Sequence, residues 1–374
     1  MNSLLLTSFG EIISYVGYIA LAVLVLLVMI TVHELGHYLS GKILGFGIEE
    51  FAIGFGPKLF SKKKKDGEIF SVRLLPIGGF CAFKGEDADS DDPTAFNNKK
   101  PWQRIIVLIS GAFMNYVLAL LIIVTMFGVY GQSALMTYAV EDPTPIYTAE
   151  QSFQNRDVII KANGENIYLT TDLMGAIKDK EQGELIPFTV RRAGKDVEII
   201  IKLRSDTKFA NLEDNVRLAK SLGIKYTTDE QGNLTAMGFA TTGLKLGFFR
   251  TIAMSFEYSF KLALSIFMVL GQLITGALGI SSIGGTVTTI SVTATAVKVG
   301  GIRNLLNIAS FIGVNLAVFN LLPIPALDGC RVVFTAIEGI RKKPISRRVE
   351  GLIHTVGFAL ILMFAIFIDL QQCF

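Results

Sequence analysis

Met29-Ile30-Thr31-Val32-His33-Glu34-Leu35-Gly36-His37 closes a run of 21 uncharged residues, Ile12 to Val32. Such a run is long enough to cross a bilayer as a helix. Two histidines four apart project from one helix face and can share a Zn²⁺. The glutamate between them is placed to take a proton from a water that the metal polarises. Imidazoles and a carboxylate at the end of a membrane helix are costly unless they face a bundle interior or a water pocket. The chain holds three histidines, and this motif uses two of them. The competing reading is a chance match, or two histidines capping a membrane helix at headgroup depth.

Composition points to a membrane protein with a soluble part. Hydrophobic residues make up 51% and charged ones 18%, with 27 Phe and a mean hydropathy of +0.50. A chain of 374 residues has room for a membrane bundle and one ordinary domain. The net charge of +3 excludes a nucleic-acid partner as the expectation. Cys81, Cys330 and Cys373 lie far apart and suggest neither a metal quartet nor a disulfide framework. With Glu11 ahead of the first apolar run and no small-residue cleavage site after it, a retained helix is expected rather than a removed signal peptide.

Four segments read as spans: Ile12–Val32, running on through the HExxH; Ile105 to Tyr130; Asn304–Leu327; and Gly351–Ile368. Leu246–Leu278 is ambiguous, because Arg250, Glu257 and Lys261 interrupt its first turns. Loop charge decides. Ser40 to Arg104 holds eleven Lys/Arg and Gly329 to Glu350 holds six, so both loops are expected to be cytoplasmic. A further crossing at Leu246–Leu278 would put the second loop outside. That stretch is therefore read as an amphipathic helix on, or dipping into, the outer face. Both termini then lie outside.

Between spans two and three the rhythm changes to short strands. Asp157 to Gly164 is an apolar strand ending in an Asn-Gly turn, Thr171 to Lys180 reads as a helix, and Phe188–Lys195 with Val197–Leu203 reads as a hairpin. A helix near Leu212–Ser221 and a strand near Ile224–Thr227 follow.

Span three ends in Asn320-Leu321-Leu322-Pro323-Ile324-Pro325-Ala326-Leu327-Asp328-Gly329. Two prolines two apart break a helix and free backbone groups that need partners. A catalytic zinc takes three protein ligands and keeps one position for water. Asp328 is the leading candidate for the third ligand, ahead of Glu338 and Asp369; the plain alternative is a turn leaving the membrane. Asn320 and Asn115 carry amides that could bind substrate backbone or a developing oxyanion, or simply bond between helices. The stretch Ile69–Phe83, with the alternation Ser71-Val72-Arg73-Leu74 and the Gly78-Gly79 turn, could offer an edge strand to an extended substrate, or could belong to an ordinary hairpin.

HELGH on the first span and NLLPIPALDG on a later one resemble the site-2 protease family of intramembrane zinc metalloproteases. The look is of the bacterial branch with an inserted PDZ domain, which cleaves membrane-anchored anti-sigma factors and signal-peptide remnants. Gly54-Phe55-Gly56-Pro57 and Leu75-Pro76-Ile77-Gly78-Gly79-Phe80 are similar to that family's cytoplasmic-side loop, and Asp157 to Gly164 with the hairpin after it looks like the second half of a PDZ domain. Two departures stand out: Gly111-Ala112-Phe113-Met114-Asn115 lacks the family's proline, and Cys330-Arg331 replaces Gly-His after Asp328-Gly329.

The resemblance implies an α-helical membrane bundle of four transmembrane helices, a cytoplasmic-side re-entrant β-hairpin and an inserted extracytoplasmic PDZ-like α+β domain. The expected organisation is a membrane core over 1–139, the PDZ-like domain over 140–205, a post-PDZ region with the interfacial helix over 206–280, and the second half of the core over 281–374. The expected enzyme sits in a bacterial cell membrane with its active site near the cytoplasmic side. It holds one Zn²⁺ through His33, His37 and Asp328, and Glu34 serves as general base. A membrane-tethered protease for soluble substrates would need a large catalytic domain for which the cytoplasmic side has no room. A transporter or adaptor would not need Glu34.

Overall fold

A computed structural model describes residues 9–86, 90–141, 152–209, 214–229, 234–276, 284–343 and 345–373. The chain divides into two compact units, Met1–Ile123 with Ile280–Phe374, and Val124–Gly279. In chain order, the first unit contains α1 (Phe9–Ile43), the long strands β1 (Ile48–Lys63) and β2 (Ile69–Phe83), and α2 (Pro101–Tyr130), whose last turns pass into the second unit. The second unit continues with β3 (Gln132–Thr137), β4 (Val158–Ala162), β5 (Glu165–Asn166), α3 (Thr170–Ala176), β6 (Leu185–Arg192), β7 (Lys195–Lys202), α4 (Asn215–Leu222), β8 (Tyr226–Thr228), β9 (Leu234–Met237), β10 (Phe239–Leu244) and α5 (Phe248–Thr275). The chain then returns to the first unit with α6 (Thr286–Leu321), α7 (Asp328–Arg341) and α8 (Arg347–Cys373).

Among the described residues, five helices are long and apolar enough to cross a membrane, where the sequence counts four spans. The extra one is α5. Two of the three charges that argue against a crossing are partnered within the second unit: Glu257 accepts both contacts from Asn166 Nδ2, at 3.0 and 2.8 Å, and the Lys261 ammonium donates to the Asn166 carbonyl. The reading also ends span three too late. The helix stops at Leu321, because Pro323 and Pro325 cannot continue it.

Helix α6 is two pieces. Gly301 breaks it with φ 58° and ψ −144°. Thr288 and Phe319 line the same 670 Å³ apolar cavity, although a straight helix would hold them about 46 Å apart. Asn304 Nδ2 donates to the Ala296 carbonyl at 3.1 Å, a reach only a folded-back chain allows. The piece after Gly301 is the one that carries Asn320.

Strands β1 and β2 form more than a hairpin. Phe60–Lys63 pairs antiparallel with Ile69–Val72, which pairs in parallel with Glu50–Ile53, and Ile48–Ile53 pairs antiparallel with Gly79–Phe83 on its other side. The bend that lets β1 serve twice is at Gly54 (φ 85°), where a Cβ would meet the Leu75 carbonyl at 2.6 Å. This narrows one expectation: within Ile69–Phe83, Ser71 and Val72 have strand neighbours on both sides, so they offer no edge to a third chain. The unshared sides belong to Phe60–Lys63 and to Gly79–Phe83. Glu68, just before β2, is buried, which alone would raise its pKa; the Lys42 and Lys64 ammoniums at 2.5 and 2.7 Å hold its carboxyl below the usual range.

The second unit is built on a sheet of order β10-β3-β4-β6-β7, with β5 on β4. Its apolar face closes over Ile159, Ile167, Leu173, Ile177, Phe188, Val190 and Leu203. Asn163 and Gly164, both with positive φ, make the tight turn their sequence announces. The sheet draws β3 and β10 from outside 140–205. They pair in unbroken register, Thr137 opposite Phe239 and Gln132 opposite Leu244. The expected boundary between 280 and 281 falls outside the described residues.

Candidate metal centre

Spacing of four brings His33 and His37 to one face of α1, both nearly buried. The helix break after Leu321 returns the chain as α7, whose first residue is Asp328. A carboxylate in a first helical turn is favoured by the helix dipole. The three side chains meet: His33 Nε2 and Asp328 Oδ2 are 3.0 Å apart, His37 Nε2 and His33 Nε2 3.1 Å, and His37 Nε2 and Asp328 Oδ2 3.3 Å. Among the described residues this is the cluster of His, Cys, Asp and Glu able to hold a metal ion. Ligands bonded to a tetrahedral zinc at about 2.0–2.1 Å lie about 3.3 Å apart. The spacing and the chemistry of the donor set therefore fit zinc.

The outer contacts set the tautomers. His37 Nδ1 donates to the Val107 carbonyl at 2.8 Å, which leaves its Nε2 lone pair free. His33 Nδ1 has the amides of Asn115 and Asn320 each at 3.4 Å. With Nε2 as a ligand, Nδ1 carries the proton and needs an acceptor. Amide orientation is an assignment made from such networks. Asn115 Oδ1 is buried without a partner, and a half-turn of that amide supplies the acceptor. Both amides border the same cavity; Asn115 is 0% exposed, while Asn320 is only part-buried.

Glu34 faces a 250 Å³ cavity shared with His33, Asp328, Asn115, Asn320 and Leu316. The Cys81 backbone N–H donates to its carboxylate, so the unshared side of Gly79–Phe83 is turned to the site. The other acidic candidates are engaged elsewhere. Glu338 takes Arg104 at 2.9 and 3.0 Å, and Asp369 packs against Gly285 at the start of α6. Arg73 of the Ser71–Leu74 group binds Glu50 at 2.8 Å rather than the site.

Two residues the sequence reading overlooked matter here. A Cβ on Gly36 would meet the Ser110 carbonyl at 2.3 Å, and one on Gly111 would meet His37 Nε2 at 2.4 Å. Bare backbone at both positions lets α2 lie directly on the histidines. The spacing of Gly36 within HELGH was the available signal; Gly111 had none beyond its place four residues before Asn115.

Residues 21–364 match the model of peptidase family M50. A Clostridium perfringens protein named as a zinc metalloprotease is 36% identical, over 95% of this chain and 98% of its own length. The zinc metalloprotease RasP of Bacillus licheniformis is 29% identical over 91% and 96%, and the regulator of sigma-W protease RasP of Bacillus subtilis 27% over 91% and 95%. The chain therefore belongs to peptidase family M50, the site-2 proteases, and is a zinc metalloprotease within a multi-pass membrane protein.

Proposed function

We propose that the chain cuts single-span membrane proteins within their transmembrane segments, using His33, His37 and Asp328 as zinc ligands and Glu34 as the proton carrier. The observation behind this is the convergence of three ligand atoms at 3.0–3.3 Å beside Glu34 in one cavity. Bound there, zinc supplies Lewis acidity for the scissile carbonyl and the attacking water. Glu34 takes the proton of that water and returns it to the leaving amide nitrogen. Asn115 fixes the His33 ring, and Asn320 holds substrate backbone at the cavity wall. The unshared side of Gly79–Cys81 receives the unwound substrate as an added strand.

The site lies on the cytoplasmic side, in a bacterial cell membrane, and the termini and the PDZ-like domain lie outside. The Lys/Arg-rich loops support this orientation. In this arrangement α5 stays at the outer face, tied to Asn166 through Glu257 and Lys261. Substrates include anti-sigma factors, as the name of the Bacillus subtilis relative suggests, and remnant signal peptides. The test is zinc content with cleavage of a single-span substrate. Asp328→Ala is expected to lose zinc and activity together, because removing one of three ligands weakens binding severely. Undiminished zinc in that variant removes Asp328 from the ligand set.

The PDZ-like domain acts as a size filter that holds back substrates with bulky external parts. Because Thr137 and Phe239 are opposite partners, Tyr138–Gly238 can be replaced by Asn-Gly to leave a closed β3–β10 hairpin. Filtering means that a substrate with a long external part becomes cleavable in this variant, while a short one changes little. Equal loss for both would make the domain a recruiter instead.

A further inference from the structure

The third histidine, His354 on α8, has no part in the mechanism above, yet it holds the backbone that aims Asp328. The segment between α6 and α7 turns through Ala326, whose φ of 76° lies in the left-handed region that an alanine rarely adopts. Such a conformation persists only where neighbours impose it. Two contacts from one face of α8 do so. The Ala326 N–H donates to His354 Nδ1 at 3.0 Å. Three residues along, bare Gly357 lies so close that a methyl group there would meet Pro325 Cβ at 2.2 Å. Phe334 of α7 packs edge-on against the His354 ring, with centroids 5.9 Å apart at 88°, and fixes its orientation. Since Nδ1 accepts, Nε2 carries the proton. Nε2 has no partner among the described residues, and His354 lines a 560 Å³ cavity that also reaches Asp328.

We propose that His354 is a positioning residue: by accepting the Ala326 N–H it holds the strained turn that places the Asp328 carboxylate between His33 and His37. The proposal rests on Asp328 being a zinc ligand. Its test is the zinc affinity of the purified full chain by chelator competition, together with the visible spectrum of the cobalt-loaded protein, which reports ligand geometry. Asn carries an acceptor where Nδ1 lies, Gln carries one where Nε2 lies, and Leu carries none. His354→Leu and His354→Gln are expected to weaken zinc binding by about tenfold, as loss of an outer-shell support does, and to alter the cobalt spectrum. His354→Asn should stay near the wild type. Adding Ala326→Gly to His354→Leu should recover much of the loss, because glycine adopts the left-handed region without strain. That rescue separates turn support from mere packing and also guards against a leucine variant that folds poorly. Wild-type affinity in His354→Leu, or no difference between the Asn and Gln variants, overturns the proposal. Asp328→Ala in the same series distinguishes the two readings. Zinc retained there overturns the ligand assignment and this proposal with it; zinc lost there but kept in His354→Leu overturns this proposal alone.

Discussion

Glu34→Gln is expected to bind zinc like the wild type and to lose turnover by about 10²–10⁴-fold, the range for removal of a general acid–base group. Glutamine is nearly isosteric with glutamate. It can still accept the Cys81 N–H through its amide oxygen, and it leaves His33, His37 and Asp328 untouched. What it cannot do is take a proton from water or return one to a leaving nitrogen. The measurement pairs elemental analysis with cleavage of a single-span substrate in detergent or proteoliposomes. Cleavage within a few fold of the wild type would remove Glu34 from that role. Loss of zinc would mean that the substitution disturbs the ligands instead.

Gly111→Ala should be nearly as damaging, although alanine is the better helix former. The new methyl would lie 2.4 Å from His37 Nε2 and 2.7 Å from His33 Cε1, at the atoms that face the metal. Relief by moving α1 away from α2 would open the close Gly36–Ser110 packing and break the His37–Val107 hydrogen bond. One imidazole must leave its place. Zinc affinity is expected to fall by about 100-fold or more, with helical content by circular dichroism unchanged. Unaltered zinc affinity in this variant would show that α2 does not pack on the histidines in this way.

The meeting of His33, His37 and Asp328 beside Glu34 was legible because residue type and spacing point to it, and an ionisable group beside a membrane span has few other uses. The Asn163-Gly164 turn and the β6–β7 hairpin were legible for a similar local reason: positive φ and alternation are written in adjacent residues. What stayed hidden depends on distant partners. Nothing near Ser71 tells that Glu50–Ile53 will lie beside it in parallel, so which part of Ile69–Phe83 keeps a free side was not legible. The partner of Glu257 and Lys261 on α5 stayed hidden because Asn166, 91 residues away from Glu257, is invisible to a local window. Gly301 sits in Gly300-Gly301 between Lys298 and Arg303, where the sequence does not announce a fold-back, yet it lets Asn304 reach back to Ala296. His354 carried no signal in the sequence, since its partner is a backbone amide 28 positions earlier.

The pairing of Thr137 with Phe239 also bears on how this chain and its relatives can change in length. Residues facing each other across an antiparallel ladder have Cβ atoms about 5 Å apart. Whatever lies between them leaves and re-enters through one narrow doorway. Duplication, loss or enlargement of that content alters neither the spacing nor the direction of the helices that follow. The comparison with the Bacillus licheniformis relative extends over 433 aligned positions against the 374 residues here, so that protein carries segments this one lacks. An insertion within α1 or α6 would rotate ligands out of reach. One beyond the β3–β10 doorway leaves the metal centre undisturbed, which makes this the place where descent can lengthen the protein at least risk to its chemistry.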